Sequence, residues 1–263
     1  KRPRARDERH GPPFIAVISR KVAEAPPGTA IFRKALKMTA LEVLKNGLVV
    51  SCQPVDGGPM DDPLITAAFA KAAVIGGASG LRIEGLANLG AVRSAVDVPI
   101  IGIIKRDLKD SPVRITPFQD DVADLAAHGA DIIAYDATAR ARPTSRSAIV
   151  KAILSAGKIV MADCATIADA QAAIYDGAQI IGTTLSGYAY DIAPDGTGPD
   201  FKLISEFYKL RSFVMAEGRL NTPKLAEQAM RAGADCVTIG SAITRAEHIT
   251  GWFDKAVKRG AHD

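Results

Sequence analysis

The 263-residue chain has little cysteine, few aromatic residues and no long apolar run. Its three cysteines, Cys52, Cys164 and Cys236, are too few and too scattered for a disulfide framework or a CxxC metal site, and they are typical of a reducing compartment. No apolar stretch approaches the roughly 18 residues of a membrane span, and no apolar segment of the secretory type follows the first ten residues. We therefore expect a cytoplasmic protein with no membrane partner.

The sequence also lacks the usual ligands and motifs of metal and nucleotide chemistry. The four histidines lie in the predicted tail or in helix-like segments, and none falls at a strand end: His10, His128, His248 and His262. A metal centre in a barrel enzyme would need His and Asp ligands at the strand ends. No GxGxxG motif follows a predicted strand. The sequence therefore predicts no metal and no other cofactor.

The net charge of +4 is concentrated in the first nine residues, which hold five basic and two acidic side chains. A basic run of this kind is typical either of a solvated tail or of an arm that binds nucleic acid. Because the rest of the chain is nearly neutral, we expect residues 1–28 to form a flexible basic tail. We predict no nucleic-acid partner, and a nucleic-acid-binding arm is the alternative.

Eight short apolar runs alternate with amphipathic stretches long enough for helices. The runs are continuously apolar, which is typical of parallel strands buried on both faces. Eight strand–helix units favour a closed barrel over an open sheet. We therefore predict an α/β fold, a single (β/α)8 TIM-barrel catalytic domain over residues 29–263. The predicted strands are 48–53, 81–85, 100–105, 131–136, 158–163, 179–184, 212–218 and 235–240.

Two segments stand outside these eight units. Residues 29–46 are amphipathic and predict an extra N-terminal helix that covers the N-terminal face of the barrel. Residues 186–200 follow the sixth strand and are rich in Gly, Asp and Pro. Because loops after strands lie on the catalytic face of such a barrel, this long loop is expected to form a partial lid.

Charged residues at the strand ends are the candidates for catalysis, because barrel enzymes work at the C-terminal ends of their strands. Lys105 ends the apolar run IIGIIK, a setting that favours its neutral, basic form. A lysine that reaches the rim or pairs with a carboxylate would give the same pattern. Glu217 ends the seventh strand and is either an acid–base group or a partner for a basic neighbour.

Four other charged residues leave two interpretations open. Arg82 and Glu84 share one face of the second strand, so they either pair with each other or face a substrate. Asp136 and Asp163 end the fourth and fifth strands and either orient other groups or cap helices.

The loops after strands seven and eight predict a phosphate site. Gly240 and Ser241 lie between the eighth strand and a short helical turn, where backbone N–H groups are open to an anion. Gly218 occupies the matching point after the seventh strand, and these two loops are the usual phosphate position in this fold. Arg245 either adds a charge-assisted contact or is an ordinary surface residue.

Eight motifs at successive strand ends resemble those of N-acetylmannosamine-6-phosphate 2-epimerases. Each is short, but all occur in the order found in that family and span nearly the whole barrel. They are SCQP (51–54), GLRIEG (80–85), PIIGIIKRD (99–107), YDAT (135–138), MADC (161–164), GTTLSGY (182–188), AEGRLNTP (216–223) and GSAITR (240–245).

The resemblance implies an isomerase that interconverts N-acetylmannosamine 6-phosphate and N-acetylglucosamine 6-phosphate in sialic acid and amino sugar breakdown, without metal or nucleotide. It implies that Lys105 and Glu217 transfer the C2 proton. It implies sugar or amide contacts for Gln53, Arg82 and Asp136, and phosphate contacts for Gly218, Gly240, Ser241 and Arg245. One departure is Ala246, where the family often has proline, a residue favoured at helix starts.

Two other functions remain open at this point. A Schiff-base aldolase of the same fold would use Lys105 as its nucleophile. A sugar-phosphate sensor would need neither Lys105 nor Glu217 and is less favoured for that reason. As partners we expect a small-molecule sugar phosphate and a second copy of the chain, in a homodimer.

Overall fold

The computed structural model describes residues 39–190 and 198–261. Within them, eight parallel strands close into a barrel in chain order, with the last strand pairing back to the first. The predicted TIM barrel is confirmed, and only the ends of the strands differ from the predicted ones. The strands are β1 (Gly47–Cys52), β2 (Gly80–Glu84), β3 (Ile100–Ile103), β4 (Ile132–Asp136), β5 (Ile159–Asp163), β6 (Ile180–Gly182), β7 (Phe213–Glu217) and β8 (Cys236–Ile239).

Helices alternate with the strands, and polar caps fix where several of them begin. The side chains of Asp62, Ser145 and Thr166 each accept backbone N–H groups of the helix they precede. These contacts satisfy donors that helix geometry leaves without a partner. The helices are α1 (Ala40–Leu44), α2 (Pro63–Ile75), α3 (Leu86–Arg93), α4 (Gln119–Ala127), α5 (Arg146–Ser155), α6 (Ile167–Asp176), α7 (Phe201–Tyr208), α8 (Pro223–Arg231), α9 (Ser241–Thr244) and α10 (Ala246–Gly260).

The core consists of two buried apolar clusters, because side chains alternate between the two faces of each strand. On β3, Ile101 and Ile103 belong to the cluster inside the barrel, whereas Ile100 packs in the cluster that includes the helices. Ile103 and Ile115 of the inner cluster also line the cavity described below. The barrel interior is therefore a filled core that forms the floor of the site.

The N-terminal predictions are described only in part. Of the predicted helix 29–46, residues 29–38 lie outside the described residues, and so does the whole predicted tail 1–28. The described part contains α1, whose Leu44 is fully buried in the inner cluster. Residues 191–197 of the predicted lid lie outside the described residues as well. Among the helices that are described, none is long and apolar enough to cross a membrane.

Candidate active site

A cavity of about 340 Å³ opens at the C-terminal ends of the strands. This volume is within the range typical of small-ligand sites. With the exception of Asp136, all the residues predicted for the site line this cavity. The lining residues that were predicted are Gln53, Arg82, Lys105, Glu217, Gly218, Gly240, Ser241 and Arg245.

Lys105 lies just beyond β3, in a short antiparallel hairpin that fills the start of the β3–α4 connection. Lys105 forms a bridge with Ile115, and the backbone N–H of Thr116 donates to the carbonyl of Ile104 at 2.8 Å. The Thr116 hydroxyl donates to the carbonyl of Ala134 in β4 at 2.7 Å. The predicted strand 100–105 was therefore too long, because the chain leaves the sheet after Ile103 to make this hairpin.

The Lys105 amine is half-buried and held by one neutral partner. Its Nζ donates to Oε1 of Gln53 at 2.6 Å, and Nε2 of Gln53 donates to the hydroxyl of Ser51 at 2.7 Å. Burial lowers the pKa of Lys105, and the positive charge of Arg82 lowers it further, against the opposing effect of Glu84. The amine is thus oriented, and its neutral form is more accessible than that of an ordinary surface lysine.

Arg82 is fully buried beneath the cavity and pairs with two carboxylates. Its Nη1 and Nη2 donate to the two carboxylate oxygens of Asp163 at 3.0 and 2.6 Å. Nη1 also donates to Oε2 of Glu217 at 3.1 Å. Burial opposes the charge on Arg82, but the two carboxylates outweigh it and raise the pKa of the guanidinium. Arg82 therefore remains a fixed cation at the centre of the site. It does not pair with Glu84.

Glu217 carries one of two carboxylates that share this single cation. Burial raises the pKa of Glu217, Asp163 acts in the same direction, and Arg82 opposes both. Thr184 lies between the carboxylates, with its hydroxyl 2.7 Å from Asp163 and 3.3 Å from Glu217. The protonated form of Glu217 is thus more accessible than that of an ordinary surface glutamate.

Lys105 and Glu217 reach the cavity from strands that lie opposite each other in the barrel. In a closed barrel of eight strands in chain order, β3 and β7 are separated by three strands in either direction. Their side chains line one cavity. A small molecule bound between them would face an amine on one side and a carboxyl group on the other.

The predicted phosphate residues form another part of the cavity wall. Gly218 has a φ of +111°, a conformation that strongly favours glycine. Gly240 and Ser241 begin the short helix α9, and Arg245 follows it with its Nε bonded to the carbonyl of Gln53 at 2.9 Å. This wall thus combines a guanidinium with the open backbone donors at a helix start.

Asp136 is the exception among the residues predicted for the site. It does not line the cavity, because neighbouring residues in the chain already bind both oxygens of its buried carboxylate. Oδ1 accepts from the N–H and hydroxyl of Thr138 and, at 3.3 Å, from Arg142. Oδ2 accepts from Arg140 at 2.6 Å. Asp163, for which sequence reasoning left the role open, is instead the carboxylate joined to the site.

Sequence reasoning also omitted part of the wall next to Gly218. Arg219, Leu220 and Asn221 line the cavity, and Arg219 lies over the ring of Tyr188 at 5.3 Å. Arg219 donates to the carbonyls of Ser186 and Gly198, near the two ends of the predicted lid. The motif AEGRLN carried this signal, since the residues after a strand-end glycine lie at the same rim.

The cysteines do not take part in the site. All three are buried, and burial raises the pKa of Cys52 and of Cys236 to about 12, so neither thiol is activated as a nucleophile. In the ranges 39–190 and 198–261, no group of three or more His, Cys, Asp or Glu side chains is arranged to hold a metal ion.

Comparison with known proteins identifies a consistent set of relatives. The family model NanE, "Putative N-acetylmannosamine-6-phosphate epimerase", matches residues 66–259. A protein of Pasteurella multocida (strain Pm70), "Putative N-acetylmannosamine-6-phosphate 2-epimerase", is 56% identical over 218 residues, 83% of this chain and 95% of its own. A protein of Photobacterium profundum with the same name is 57% identical over 219 residues, 83% of this chain and 92% of its own.

Solved structures agree with these relatives. The N-acetylmannosamine-6-phosphate 2-epimerase from Clostridium perfringens superposes with a TM-score of 0.81 at 35% identity, covering 84% of this chain and 97% of that one. Thiamine phosphate pyrophosphorylase from Pyrococcus furiosus superposes with a TM-score of 0.52 at 15% identity, over 79% of this chain and 90% of that one. The second likeness concerns the fold alone.

Proposed function

Because the chain belongs to the N-acetylmannosamine-6-phosphate 2-epimerase family, we propose that Lys105 and Glu217 perform its reaction as a pair of proton-transfer groups. The chain is an isomerase of amino sugar metabolism that interconverts N-acetylmannosamine 6-phosphate and N-acetylglucosamine 6-phosphate. The observation that carries the assignment of residues is that two groups with shifted pKa values line one cavity and reach it from opposite strands of the barrel.

The chemistry requires a proton to leave C2 and another to arrive on the opposite face. In the open-chain sugar, C2 is next to the C1 aldehyde, so deprotonation moves the electron pair of the C–H bond onto the aldehyde oxygen as an enolate. Reprotonation on the other face reforms the C–H bond with inverted configuration. No atom is gained or lost, so two groups that hold one proton between them are sufficient.

Lys105 and Glu217 suit these roles because both are shifted toward their neutral forms. A neutral amine is a base and a protonated carboxyl is an acid, and each reverses its role when the reaction runs backward. The hydrogen bond to Gln53 orients the Lys105 amine. The fixed charge of Arg82 stabilises the negative charge that develops on the aldehyde oxygen. Which of the two groups removes the C2 proton and which one supplies the new proton depends on the epimer that is bound.

The phosphate group is proposed to bind at the wall formed by Gly218, Gly240, Ser241 and Arg245. Its binding energy would hold the sugar so that C2 lies between the two catalytic groups. Replacing Ser241 with Asp puts a negative charge at this wall, and we expect KM for the phosphorylated substrate to rise at least about tenfold with the fold intact. Ser241→Asn is the matched neutral control. An unchanged KM in S241D would mean that the phosphate binds elsewhere.

The direct test of the function is proton NMR of the purified protein with N-acetylmannosamine 6-phosphate in D2O. We expect the C2 proton signal to be lost by exchange as the second epimer appears. Borohydride treatment with substrate is expected to leave Lys105 unmodified. A covalent adduct there, without C2 exchange, would favour the aldolase mechanism instead.

We also propose that the protein is cytoplasmic and forms a homodimer through α10. None of the residues of this 15-residue helix is buried, and its Phe253 and Val257 side chains are 68% and 70% exposed. Apolar surface of this kind is typical of a protein–protein contact. Sedimentation should give a dimer for the wild type and a monomer for Phe253→Glu, and a wild-type monomer would contradict the proposal.

A further inference from the structure

We propose that the loop after β4 and the start of α5 form a second anion site that binds a phosphate monoester or a similar oxyanion. A cavity of about 380 Å³ lies there and shares no lining residue with the active-site cavity. It is lined by Thr138, Ala139, Arg140, Arg142, Ser145 and Arg146.

The charges around this cavity are unequal. Three guanidinium groups line it, whereas one buried carboxylate, that of Asp136, binds two of them. Among the described residues, the one carboxylate partner of Arg146 is the distant Asp176, at 4.0 Å. Burial lowers the pKa of Arg142, and its neighbours Arg146 and Arg140 act in the same direction against Asp136. The cavity wall is therefore more positive than its own carboxylates can neutralise.

Several donors of these arginines have no acceptor among the described residues. The Nε of Arg142 is buried, and it has no hydrogen-bond partner in the ranges 39–190 and 198–261. Within the same ranges, Arg142 donates through Nη2 alone and Arg146 through Nη1 alone, to the carbonyl of Ala137 at 3.1 Å. A purely structural role in holding Asp136 accounts for Arg140 and one end of Arg142, but not for the remaining N–H groups. Guanidinium groups with open planar donors are the preferred ligands of phosphate oxygens.

The start of α5 adds a second kind of anion-binding group. Ser145 caps this ten-residue helix by accepting from the N–H of Ala148. The first N–H groups of the helix have no acceptor inside the helix, and the helix dipole favours negative charge at this end. Arginine donors and a helix N-terminus thus converge on one cavity, a combination that suits an oxyanion.

The test is a titration of the full-length protein with inorganic phosphate at constant ionic strength, followed by NMR of arginine Nε–H groups assigned through single Arg→Lys variants. We expect the signals of Arg142 and Arg146 to shift and saturate. Arg245 reports separately on the active site, so the two events are distinguished by residue. Signals of Arg142 and Arg146 that do not move, or that follow chloride equally well, would overturn the proposal.

A pair of variants at one position isolates the role of charge. Asp and Asn are both good N-caps, so Ser145→Asp and Ser145→Asn should keep α5 and the fold. S145D adds a negative charge at the proposed site, and we expect its Kd for phosphate, measured at Arg142, to rise about tenfold. S145N should bind phosphate as the wild type does. Equal affinities in S145D and S145N would contradict a site here.

Discussion

Two arginine–carboxylate clusters at neighbouring strand ends have opposite compositions. In the active site, one guanidinium, that of Arg82, is shared by Asp163 and Glu217. In the loop after β4, the single anion Asp136 is shared by Arg140 and Arg142. The register of β4 and β5 sets Asp136 directly beside Asp163. The two clusters are therefore close together in the barrel, and they differ mainly in which charged residues they contain.

The comparison shows how the ratio of carboxylates to guanidiniums in a cluster contributes to the pKa values of its members. Burial is the main cause that raises the pKa of Glu217, and the second carboxylate, Asp163, adds to it. Burial is likewise the main cause that lowers the pKa of Arg142, and the neighbouring guanidiniums of Arg146 and Arg140 add to it. The first arrangement prepares a group for proton transfer, and the second prepares a surface for an anion.

The largest expected effect is on catalysis in the first cluster. Glu217→Gln and Lys105→Ala should each lower kcat by about 10²–10⁴-fold, the range typical of general acid–base groups. Thermal unfolding should show that both variants remain folded. If E217Q retains near-normal kcat, Glu217 is a structural partner of Arg82, and a group of the substrate or another residue transfers its proton.

The next effect concerns stability when the shared cation is removed. Arg82→Met leaves Asp163 and Glu217 as buried carboxylates without a cation, and we expect a loss of about 3–5 kcal/mol in the free energy of unfolding. Protonation of a buried carboxylate relieves this penalty, so the loss should shrink as the pH falls through the raised pKa of Glu217. Urea unfolding across a pH series measures the loss in the free energy of unfolding and its dependence on pH. A loss in R82M that does not depend on pH would contradict this explanation.

A matched pair of substitutions compares the two clusters directly. Asp163→Asn weakens the hold on Arg82 and removes a charge that helps to raise the pKa of Glu217, so kcat should fall about tenfold or more. Asp136→Asn should cost about 1–3 kcal/mol in stability through its weakened bonds, with kcat changed by less than about threefold. Steady-state kinetics measures kcat for both variants, and urea unfolding measures their stability. A larger loss of kcat in D136N than in D163N would restore Asp136 to the active site.

The smallest effect is a change in pH dependence. The active enzyme holds one proton between Lys105 and Glu217. The plot of kcat/KM against pH should therefore be bell-shaped. Its acid limb lies above the usual carboxyl range, because the pKa of Glu217 is raised, and its basic limb lies below the usual lysine range, because the pKa of Lys105 is lowered. The acid limb should be absent from the residual activity of E217Q. Limbs at the ordinary pKa values would argue against these two groups.

The fold could be predicted because its signals are local. Continuous apolar runs lie within the strands that they specify, and all eight strands were identified from them. Lys105 and Glu217 could be named as candidates for the same reason, since each is an isolated charge at the end of an apolar run.

It was harder to predict which of Asp136 and Asp163 joins the active site, because the answer depends on partners that are distant in the sequence. Asp163 pairs with Arg82, which lies 81 positions away in the sequence, across the barrel interior. Asp136 pairs with arginines four and six positions away. In the string DATARAR, those nearby arginines are a visible sign that the carboxylate already has partners. Sequence analysis that weighs local cations first would have favoured Asp163.

The hairpin that carries Lys105 also has a consequence for tolerance to mutation. Its base is fixed to the barrel by Thr116, and the bridge between Lys105 and Ile115 closes it before α4 begins. Within the hairpin, Val113 is buried and Ser111 donates to the carbonyl of Ala141, whereas Lys109 and Asp110 at the turn are exposed. We therefore expect changes of length or charge at this turn to leave the position of the catalytic amine unchanged.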